Sequence, residues 1–344
     1  MPSNSLSHAG ERPAAILATA SALPDTVVTN DDIIRRHGHK VAATAIRKIV
    51  GVETRRVAER GVADSDLLAE AGRRCLARAG LVPEQLSKLI ATKFLGDRLL
   101  PPTAALTQRK LGTSMAFQAF DVDGGTNAFL QAVEVAKAAI ACGDEYVLVV
   151  AGGVINTLVS REDPRQAFLY GDGAGAVLLG RAPTNTSARI HATYQFTDPS
   201  ARDLSRGFEL RKCVAFDMYE TKDYRGLYSL NEGGDWKTVQ PLAVDTVVRV
   251  AREVLARAGW SLAEMDLVLL TENHPRLWGA AFEQLGLAPA RSLSLLSEYG
   301  NTMSAMLPLL LDRAVATGRL VRGQRVLLLS IGEGLSCGGL VATF

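Results

Sequence analysis

The chain contains a long internal repeat, and no other feature constrains its fold more strongly. The pentapeptide Leu-Ala-Arg-Ala-Gly at residues 76–80 recurs at residues 255–259, where each copy ends a helical pattern and precedes an apolar strand. The strand pattern at residues 143–150 is echoed at residues 323–329. Because solenoids need short periods and several copies, this long repeat of strands and helices indicates a duplicated domain.

The candidate strands are short, wholly apolar and separated by helices, as at residues 89–92, 147–150 and 267–270. Such strands are typical of sheets buried on both faces, so the sequence predicts a layered α/β architecture. We expect two halves, residues 1–182 and 183–344, in five layers with the central helix of each half in the middle.

Composition excludes several functional classes. With 344 residues, 47% hydrophobic and 22% charged, the chain has ample core. Its net charge of +2 and lack of long Lys/Arg runs argue against nucleic-acid binding. Its apolar runs are strand-length, which argues against a membrane span. The four cysteines lack CxxC spacing, so we expect no disulfide framework, no metal site and a cytoplasmic protein. Residues 1–12 lack signal-peptide order and are expected to be a frayed leader.

Residues 196–240 interrupt the α/β pattern. They are polar, with aromatic residues interspersed among charged ones. A long irregular insertion in a compact protein is typical of a functional lid or a disordered loop. The aromatic content favours the lid.

The segment before the first central helix is a candidate site. Gly124 and Gly125 precede Thr126 and permit a sharp turn that places this side chain at the helix start, as in a nucleophile elbow. The alternative is that Thr126 is only an N-cap, and the local sequence favours this interpretation. Free N–H groups and the helix dipole favour negative charge at such a position.

His274 is the only histidine that directly follows a buried strand, at the strand end where α/β proteins place ligands. A purely structural histidine is the alternative. Asn301, which follows Gly300 at the matching turn, is a candidate amide donor. The glycine-rich residues 330–339 offer backbone N–H groups for an oxyanion, although glycine clusters also occur where layers pack closely.

Several motifs in this order resemble the thiolase superfamily, and most closely its β-ketoacyl-acyl-carrier-protein synthase III branch. The likeness covers residues 13–344. Its markers are Pro-Pro-Thr at 101–103, Phe-Asp-Val at 120–122, Tyr-Gly-Asp-Gly-Ala-Gly-Ala at 170–176, His274, Tyr-Gly-Asn-Thr at 299–302 and the glycine-rich end. The resemblance implies a thiolase-like five-layer αβαβα fold and a homodimer. It also implies that His274 and Asn301 bind a thioester carbonyl, and stabilise the enolate when malonyl groups decarboxylate. Backbone groups of Thr126, Glu333 and Gly334 are the expected oxyanion donors.

The chain also departs from the family pattern. The acylated cysteine of the family falls at Thr126, and neither Cys142 nor Cys337 can replace it. Because a secondary alcohol is essentially never ionised at neutral pH, a cysteine-type ping-pong route is not expected. A cysteine restored at this position is expected to be readily acylated, since it would lie at a helix N-terminus. Glu333 interrupts the usual glycine triplet.

The side chains that bind coenzyme A in the family are missing from this sequence. The tryptophan and arginine that sandwich its adenine fall near Ala45 and Thr157, and the helix after His274 is shorter than usual. We therefore expect no cofactor. The acyl group is expected on the phosphopantetheine of an acyl carrier protein, with coenzyme A as the alternative.

Three functions are compatible with these residues. The first is an acyltransferase of secondary metabolism, in which His274 deprotonates a small-molecule hydroxyl, amine or carbon acceptor that attacks the acyl thioester directly or through acyl-Thr126. The second is a condensing or decarboxylating enzyme that needs no acyl-cysteine, and the third is a non-catalytic partner subunit. The retained His274 and Asn301 argue against the third, and we favour the first, with Thr126 as a spectator.

Two kinds of protein partner are expected. The homodimer should form through the sheet edge of the first half, with residues 146–150 and the segment after Gly112 as contributors. Carrier proteins are acidic, so exposed basic residues should dock them, and the candidates are Arg249, Arg252 and Arg276 together with basic residues of the insertion. The alternative for each arginine is an ordinary solvated charge.

Overall fold

The computed structural model describes residues 12–98, 100–157, 159–198, 208–210, 228–230 and 236–344, and its first half is built on a five-stranded sheet. The strand order is β1-β7-β6-β4-β5. These strands are β1 (Ala14–Ala22), β4 (Lys88–Thr92), β5 (Gln118–Asp121), β6 (Tyr146–Gly153) and β7 (Gly173–Arg181). The pairs β4–β5 and β4–β6 are parallel, whereas β6–β7 and β7–β1 are antiparallel.

The second half repeats this pairing in a four-stranded sheet of order β11-β12-β13-β8. Its strands are β8 (Arg189–Thr197), β11 (Leu267–Leu270), β12 (Arg325–Gly332) and β13 (Ser336–Thr343). Here β11 and β12 are parallel and the other two pairs are antiparallel. The strands of the second sheet therefore correspond in order and direction to β4, β6, β7 and β1. The expected boundary after Ala182 falls between the last strand of one sheet and the first strand of the other.

Helices complete the layers. The central pair is α5 (Ala128–Ala141) and α10 (Met306–Ala316), and its apolar side chains form one core with strands of both sheets. The outer face of the first sheet packs in a second core with α3 (Asp64–Ala79) and α4 (Thr103–Leu111). The outer face of the second sheet is covered by α7 (Trp236–Ala258) and α8 (Pro275–Leu285). The predicted five-layer αβαβα architecture is confirmed.

Shorter elements connect these layers. They are the paired strands β2 (Val27–Thr29) and β3 (Thr54–Arg56), the paired strands β9 (Phe208–Leu210) and β10 (Tyr228–Leu230), and the helices α1 (Asn30–His37), α2 (Ala43–Val50), α6 (Pro164–Ala167) and α9 (Leu296–Tyr299). Short 3₁₀ turns precede both central helices, at Gly125–Asn127 and Met303–Ala305.

The repeated pentapeptide ends equivalent helices. Gly80 follows α3 and Gly259 follows α7, both with left-handed backbone angles (φ 68° and 71°) that an L-residue rarely adopts. In each case the residue after the glycine donates its N–H to the backbone carbonyl of the leucine that begins the pentapeptide. This hydrogen bond closes the last turn of the helix. The repeat is thus a helix-ending signal used once in each half.

The expected dimer contact at residues 146–150 is wrong. Those residues lie in β6, which is paired on one side with β4 and on the other with β7. An inner strand has no backbone groups left to pair with a second chain. The segment after Gly112 leads instead to β5, which stands at one end of the strand order.

Two further expectations fall largely outside the described residues. The expected leader occupies residues 1–12, of which only Arg12 is described. The expected lid includes residues 199–207, 211–227 and 231–235, which the description does not cover. The two ends of the expected lid, residues 196–240, lie in regular elements, because β8 continues to Thr197 and α7 begins at Trp236. Among the helices that are described, none combines the length and apolarity of a membrane span.

Candidate active site

The site lies where two parallel strands of the second sheet end. The backbone after β11 leads to His274, and the backbone after β12 leads to Glu333. Thr271 and Asn273 join these two ends, because Thr271 Oγ1 accepts from the Ile331 N–H at 3.0 Å and Asn273 Nδ2 donates to the Ile331 carbonyl at 2.8 Å. The carboxyl ends of neighbouring parallel strands are thereby held at one edge, the usual place for ligands in α/β proteins.

Thr126 lies at the start of the central helix and is only 1% exposed. It belongs to the 3₁₀ turn Gly125–Asn127, which leads directly into α5. Gly125 has a left-handed φ of 59°, and a Cβ at this position would lie 2.2 Å from Glu333 Oε2. The left-handed backbone angle therefore favours glycine here, and the lack of a side chain leaves room for the carboxylate of Glu333.

The Thr126 side chain is not an N-cap, so the interpretation favoured by the local sequence is wrong. Its Oγ1 donates to Glu333 Oε1 at 3.1 Å, and its backbone N–H donates to Glu333 Oε2 at 2.9 Å. Both donors of one residue thus meet the two oxygens of one carboxylate. Glu333 itself takes the place of a capping side chain, with its charge at the positive end of α5.

This contact also corrects the expected oxyanion hole. The Thr126 N–H was expected to await a substrate oxygen, together with the backbone of Glu333 and Gly334. In the structure a carboxylate of the chain itself already accepts from this N–H. One signal is present in the sequence, a charged residue between two glycines, but it does not indicate that the side chain turns back onto Thr126.

Met303 lies on another side of Thr126. Its sulfur is 3.9 Å from Thr126 Oγ1, and the residue adopts a left-handed φ of 55° that non-glycine residues seldom take. Met303 also lines a cavity of about 40 Å³ together with Gly152, Thr302 and Ser304. Because Met303 and Glu333 both contact Thr126, its hydroxyl is enclosed by protein atoms.

His274 is the N-cap residue of α8 and is half-buried. Its Nδ1 accepts from the backbone N–H of Arg276 at 3.2 Å. A ring nitrogen that accepts from an N–H carries no proton, so the neutral imidazole has its proton on Nε2. The structure therefore presents Nε2 as the donor end of His274.

Asn301 is 4% exposed and is fixed by its backbone and by its side-chain oxygen. Its N–H donates to the Leu169 carbonyl at 2.8 Å, and its carbonyl accepts from the Gly171 N–H at 3.1 Å. Its Oδ1 accepts from the Met303 N–H at 2.8 Å. The amide nitrogen Nδ2 is therefore the side-chain atom of Asn301 that can donate a hydrogen bond, as Nε2 is in His274.

Glycines explain why the two tyrosine-glycine motifs lie side by side. A Cβ on Gly171 would lie 1.9 Å from the Tyr299 carbonyl oxygen, and a Cβ on Gly300 would lie 2.8 Å from that of Leu169. Distances this short exclude any side chain at either position. The two glycines therefore allow the backbone contact that positions Asn301.

Glu272 ties the segment of His274 to the segment of Asn301. This buried carboxylate follows β11 and accepts from the backbone N–H groups of Leu295 (2.6 Å) and Leu296 (3.0 Å), where α9 begins. Burial raises the pKa of Glu272 above its usual value, although these hydrogen bonds oppose that shift. The helix α9 leads directly to Gly300 and Asn301, so one side chain sets the relation between the two polar segments.

The three expected docking arginines lie on helices of the outer layer. Arg249, Arg252 and Arg276 are exposed. The Arg249 guanidinium lies 3.7 Å from the centre of the Phe196 ring, so its position is partly fixed by a cation–π contact. Arg276 is two residues beyond His274, on the first turn of α8.

Ala45 and Thr157 are the residues near which the adenine-binding side chains of the family are expected to fall. Ala45 lies on α2 and Thr157 ends a short 3₁₀ turn, and both are partly buried. Neither side chain is aromatic or charged. No group of acidic, histidine or cysteine side chains in the described residues has the arrangement of a metal site.

Known proteins share this architecture over nearly all of the chain. Residues 120–199 match the family model of 3-oxoacyl-[acyl-carrier-protein] synthase III, and residues 255–344 match the model of its C-terminal region. A β-ketoacyl-[acyl-carrier-protein] synthase III of Streptomyces coelicolor is 32% identical and covers 97% of this chain and 98% of its own length.

Solved structures agree. The 3-oxoacyl-[acyl-carrier-protein] synthase III of Aquifex aeolicus superimposes with a TM-score of 0.84 at 26% identity, covering 96% of this chain and all of its own. The priming β-ketosynthase of the R1128 polyketide pathway gives 0.85 at 25% identity, covering 97% of both chains. The chain therefore belongs to the 3-oxoacyl-acyl-carrier-protein synthase III family of transferases, within the thiolase superfamily.

Proposed function

We propose that the chain is an acyltransferase of secondary metabolism that moves an acyl group from a carrier-protein thioester directly to a hydroxyl, amine or carbon acceptor. No acyl-enzyme forms on Thr126. The observation that carries this proposal is the paired contact of the Thr126 hydroxyl and N–H with the Glu333 carboxylate.

This contact opposes a covalent route in two ways. An acyl group on Thr126 would develop negative charge on its carbonyl oxygen, and the N–H that would stabilise this charge already binds Glu333. Glu333 is also a poor activator of the hydroxyl, since a carboxylate is a far weaker base than an alkoxide and would hardly take the hydroxyl proton. The methyl group of threonine adds crowding at a side chain that is already enclosed.

The donor ends of His274 and Asn301 support a role for this pair in polarising the substrate carbonyl. In each residue the acceptor atom is taken by a backbone N–H, which orients the remaining polar atom as a donor. Donors fixed in this way stabilise an oxyanion without reorganising during the reaction. The tetrahedral intermediate of direct transfer would thus draw on His274 and Asn301 rather than on the Thr126 N–H.

His274 has two candidate roles in the transfer. As a general base it would take the proton of the acceptor, which requires an unprotonated ring nitrogen facing that group. As a donor it would polarise the thioester. The hydrogen bond from Arg276 to Nδ1 favours the donor role, because it leaves the proton on Nε2.

Decarboxylation of a malonyl-type thioester is the second candidate function. It needs donors for the enolate oxygen but no nucleophile on the protein, and His274 and Asn301 are the residues that the family resemblance assigns to this step. The same two donor ends therefore support it. The reaction would release carbon dioxide, whereas direct transfer would not.

The proposed donor is an acyl carrier protein, and the proposed assembly is a homodimer. The relatives are named for carrier-protein substrates, and Ala45 and Thr157 supply neither an aromatic nor a charged grip for adenine. Coenzyme A is the alternative donor. The strand β5, at the end of the first sheet, is the proposed dimer edge.

A product assay tests the function. The protein is incubated with acyl- and malonyl-carrier thioesters and a panel of hydroxyl and amine acceptors, and acyl products and carbon dioxide are measured. Asn301→Asp is the matched variant, because it keeps an oxygen for the Met303 N–H and replaces the donor by a carboxylate oxygen, whose charge also opposes an oxyanion. Direct transfer predicts an acylated acceptor and a loss of about 100-fold or more in the variant. Carbon dioxide without transfer would support decarboxylation, and no turnover of either thioester would support a non-catalytic partner subunit.

A further inference from the structure

The Glu333 carboxylate accepts from the Thr126 N–H, the donor that the family resemblance implies for the oxyanion of an acyl enzyme. Glu333 follows β12, and both of its oxygens reach back to Thr126, at 2.9 Å from the backbone nitrogen and 3.1 Å from Oγ1. The N–H of Thr126 is at the start of the turn that leads into α5, where the helix dipole attracts an anion. The chain therefore supplies its own anion to this position.

A substrate oxyanion and the Glu333 carboxylate exclude one another. They would need the same N–H donor, and two negative charges at hydrogen-bonding distance from one donor repel strongly in a buried site. A Cβ placed on Gly125 would lie 2.2 Å from Glu333 Oε2, which shows how little space remains beside the turn. For residue 126 to be acylated, Glu333 would have to leave this position.

We propose that Glu333 is a specificity-determining residue that closes the Thr126 end of the site to covalent acylation. It does so by occupying the oxyanion position with a fixed carboxylate. Threonine at 126 and glutamate at 333 then act as a pair: the first removes the nucleophile and the second removes the donor that an acyl group would need. This inference rests on the proposed function, because it explains why the acyl group would be transferred without a covalent intermediate on Thr126.

The proposal differs from the expectation that a cysteine restored at position 126 is readily acylated. A thiolate placed there would face the Glu333 carboxylate, which disfavours the thiolate and competes with the incoming thioester oxygen. If only the thiol is restored, acylation of residue 126 should therefore remain slow. Restoring the thiol and also removing the carboxylate should make it reactive.

A simpler role for Glu333 is to cap α5 and nothing more. In that case its removal would lower stability but would not increase the reactivity of a thiol at position 126. Glu333→Gln separates the two roles, because glutamine keeps the length and an acceptor oxygen but loses the charge. Glu333→Gly removes both charge and bulk, and glycine already stands on either side of this position.

The experiment uses three variants of the full chain in a Cys142→Ser background, since Cys142 is an exposed cysteine. They are Thr126→Cys, Thr126→Cys/Glu333→Gln and Thr126→Cys/Glu333→Gly. Each is incubated with a short-chain acyl N-acetylcysteamine thioester and, separately, with iodoacetamide. Mass spectrometry follows the adduct and maps it to the peptide containing residue 126.

We expect Thr126→Cys/Glu333→Gly to be acylated about 100-fold faster than Thr126→Cys alone, which is the effect of regaining one oxyanion donor. The glutamine variant should fall between them in acylation and should be alkylated faster than Thr126→Cys. Acylation of Thr126→Cys as fast as that of the double variants would overturn the proposal. Melting temperatures confirm that each protein is folded, and the glutamine variant supplies the comparison if the glycine variant is not.

This test does not depend on the natural carrier or acceptor. An unreactive Thr126→Cys with a reactive double variant would support the role of Glu333 whatever the natural product is. Failure of the proposed transfer would appear only in the product assay of the wild-type chain. The two ideas can therefore fail separately.

Discussion

The backbone N–H of Arg276 donates to Nδ1 of His274 at 3.2 Å, within the first turn of the helix that His274 caps. This one contact fixes the tautomer of the neutral ring, because it leaves the proton on Nε2. It distinguishes a histidine that polarises a carbonyl from one that removes a proton, and so bears on the chemistry of the whole site.

Substitutions of His274 should separate these two roles. If the ring acts as a donor, His274→Gln should retain much more activity than His274→Ala, since the glutamine amide can also donate to an oxyanion. Alanine should lower the rate about 100- to 1000-fold. The measurement is the initial rate of acyl loss from a carrier thioester. Equal losses in both variants would indicate a general base, because glutamine cannot take a proton.

Reversing the charge of Arg249, Arg252 and Arg276 together should weaken use of the carrier-bound substrate. We expect KM to rise about tenfold and its dependence on ionic strength to diminish, because exposed charges steer association. Small thioester analogues should react as before. The control reverses Arg73, Arg74 and Arg181, which are exposed on the first half. A similar effect on both substrates, or in the control, would argue against docking.

The buried carboxyl group of Asp172 should make the free energy of unfolding depend on pH. Burial raises the pKa of its carboxyl to about 6, above the ordinary value of 3.8. Between these values the folded state holds a proton that the unfolded state has lost, so this group's contribution falls as pH rises from about 4 to about 6. The loss is on the order of 3 kcal/mol at neutral pH.

Asp172→Asn should remove this part of the pH dependence. Asp64, whose pKa burial also raises to about 6, should supply a similar slope in the variant. Denaturant unfolding at about pH 3.5 to 7.5, a range that spans the titration window, provides the measurement. The variant is expected to be less stable at every pH, because a carboxylate oxygen that accepts from a backbone N–H is lost. Unchanged pH dependence would contradict the assignment.

A homodimer is expected at micromolar concentration, with β5 at the contact. An edge strand has unpaired backbone groups that a second copy can pair with. Light scattering should give twice the chain mass, and the amides of Gln118–Asp121 should exchange slowly with deuterium until the protein is diluted. A monomeric mass would refute the dimer. Slow exchange that does not depend on concentration would refute the contact.

The layered fold could be predicted because it is encoded locally. Wholly apolar strands such as Leu267–Leu270 indicate burial on both faces, and the repeated pentapeptide marks equivalent helix ends. Strand order is not local information. Edge strands and inner strands of such a sheet can be equally apolar. The sequence of β6 therefore does not reveal that this strand lies inside the sheet.

The candidate site was predicted in its residues but not in its contacts. His274 and Asn301 follow recognisable signals, a buried strand and a glycine turn. The contact between Thr126 and Glu333 joins residues far apart in sequence, and helix-capping rules consider only neighbours along the chain. The capping interpretation failed because the partner of Thr126 comes from the other half of the molecule.

The central claim is that transfer bypasses Thr126, and Thr126→Val tests it most directly. Valine keeps the shape and the backbone N–H but lacks the hydroxyl. The rate of transfer from a carrier thioester is measured for this variant and for Thr126→Ala, while intact-protein mass spectrometry follows the wild type. We predict that both variants keep most of the wild-type rate and that the wild type gains no acyl mass. Loss of turnover in both variants, with an acyl adduct forming on the Thr126 peptide at the rate of turnover, would contradict the claim.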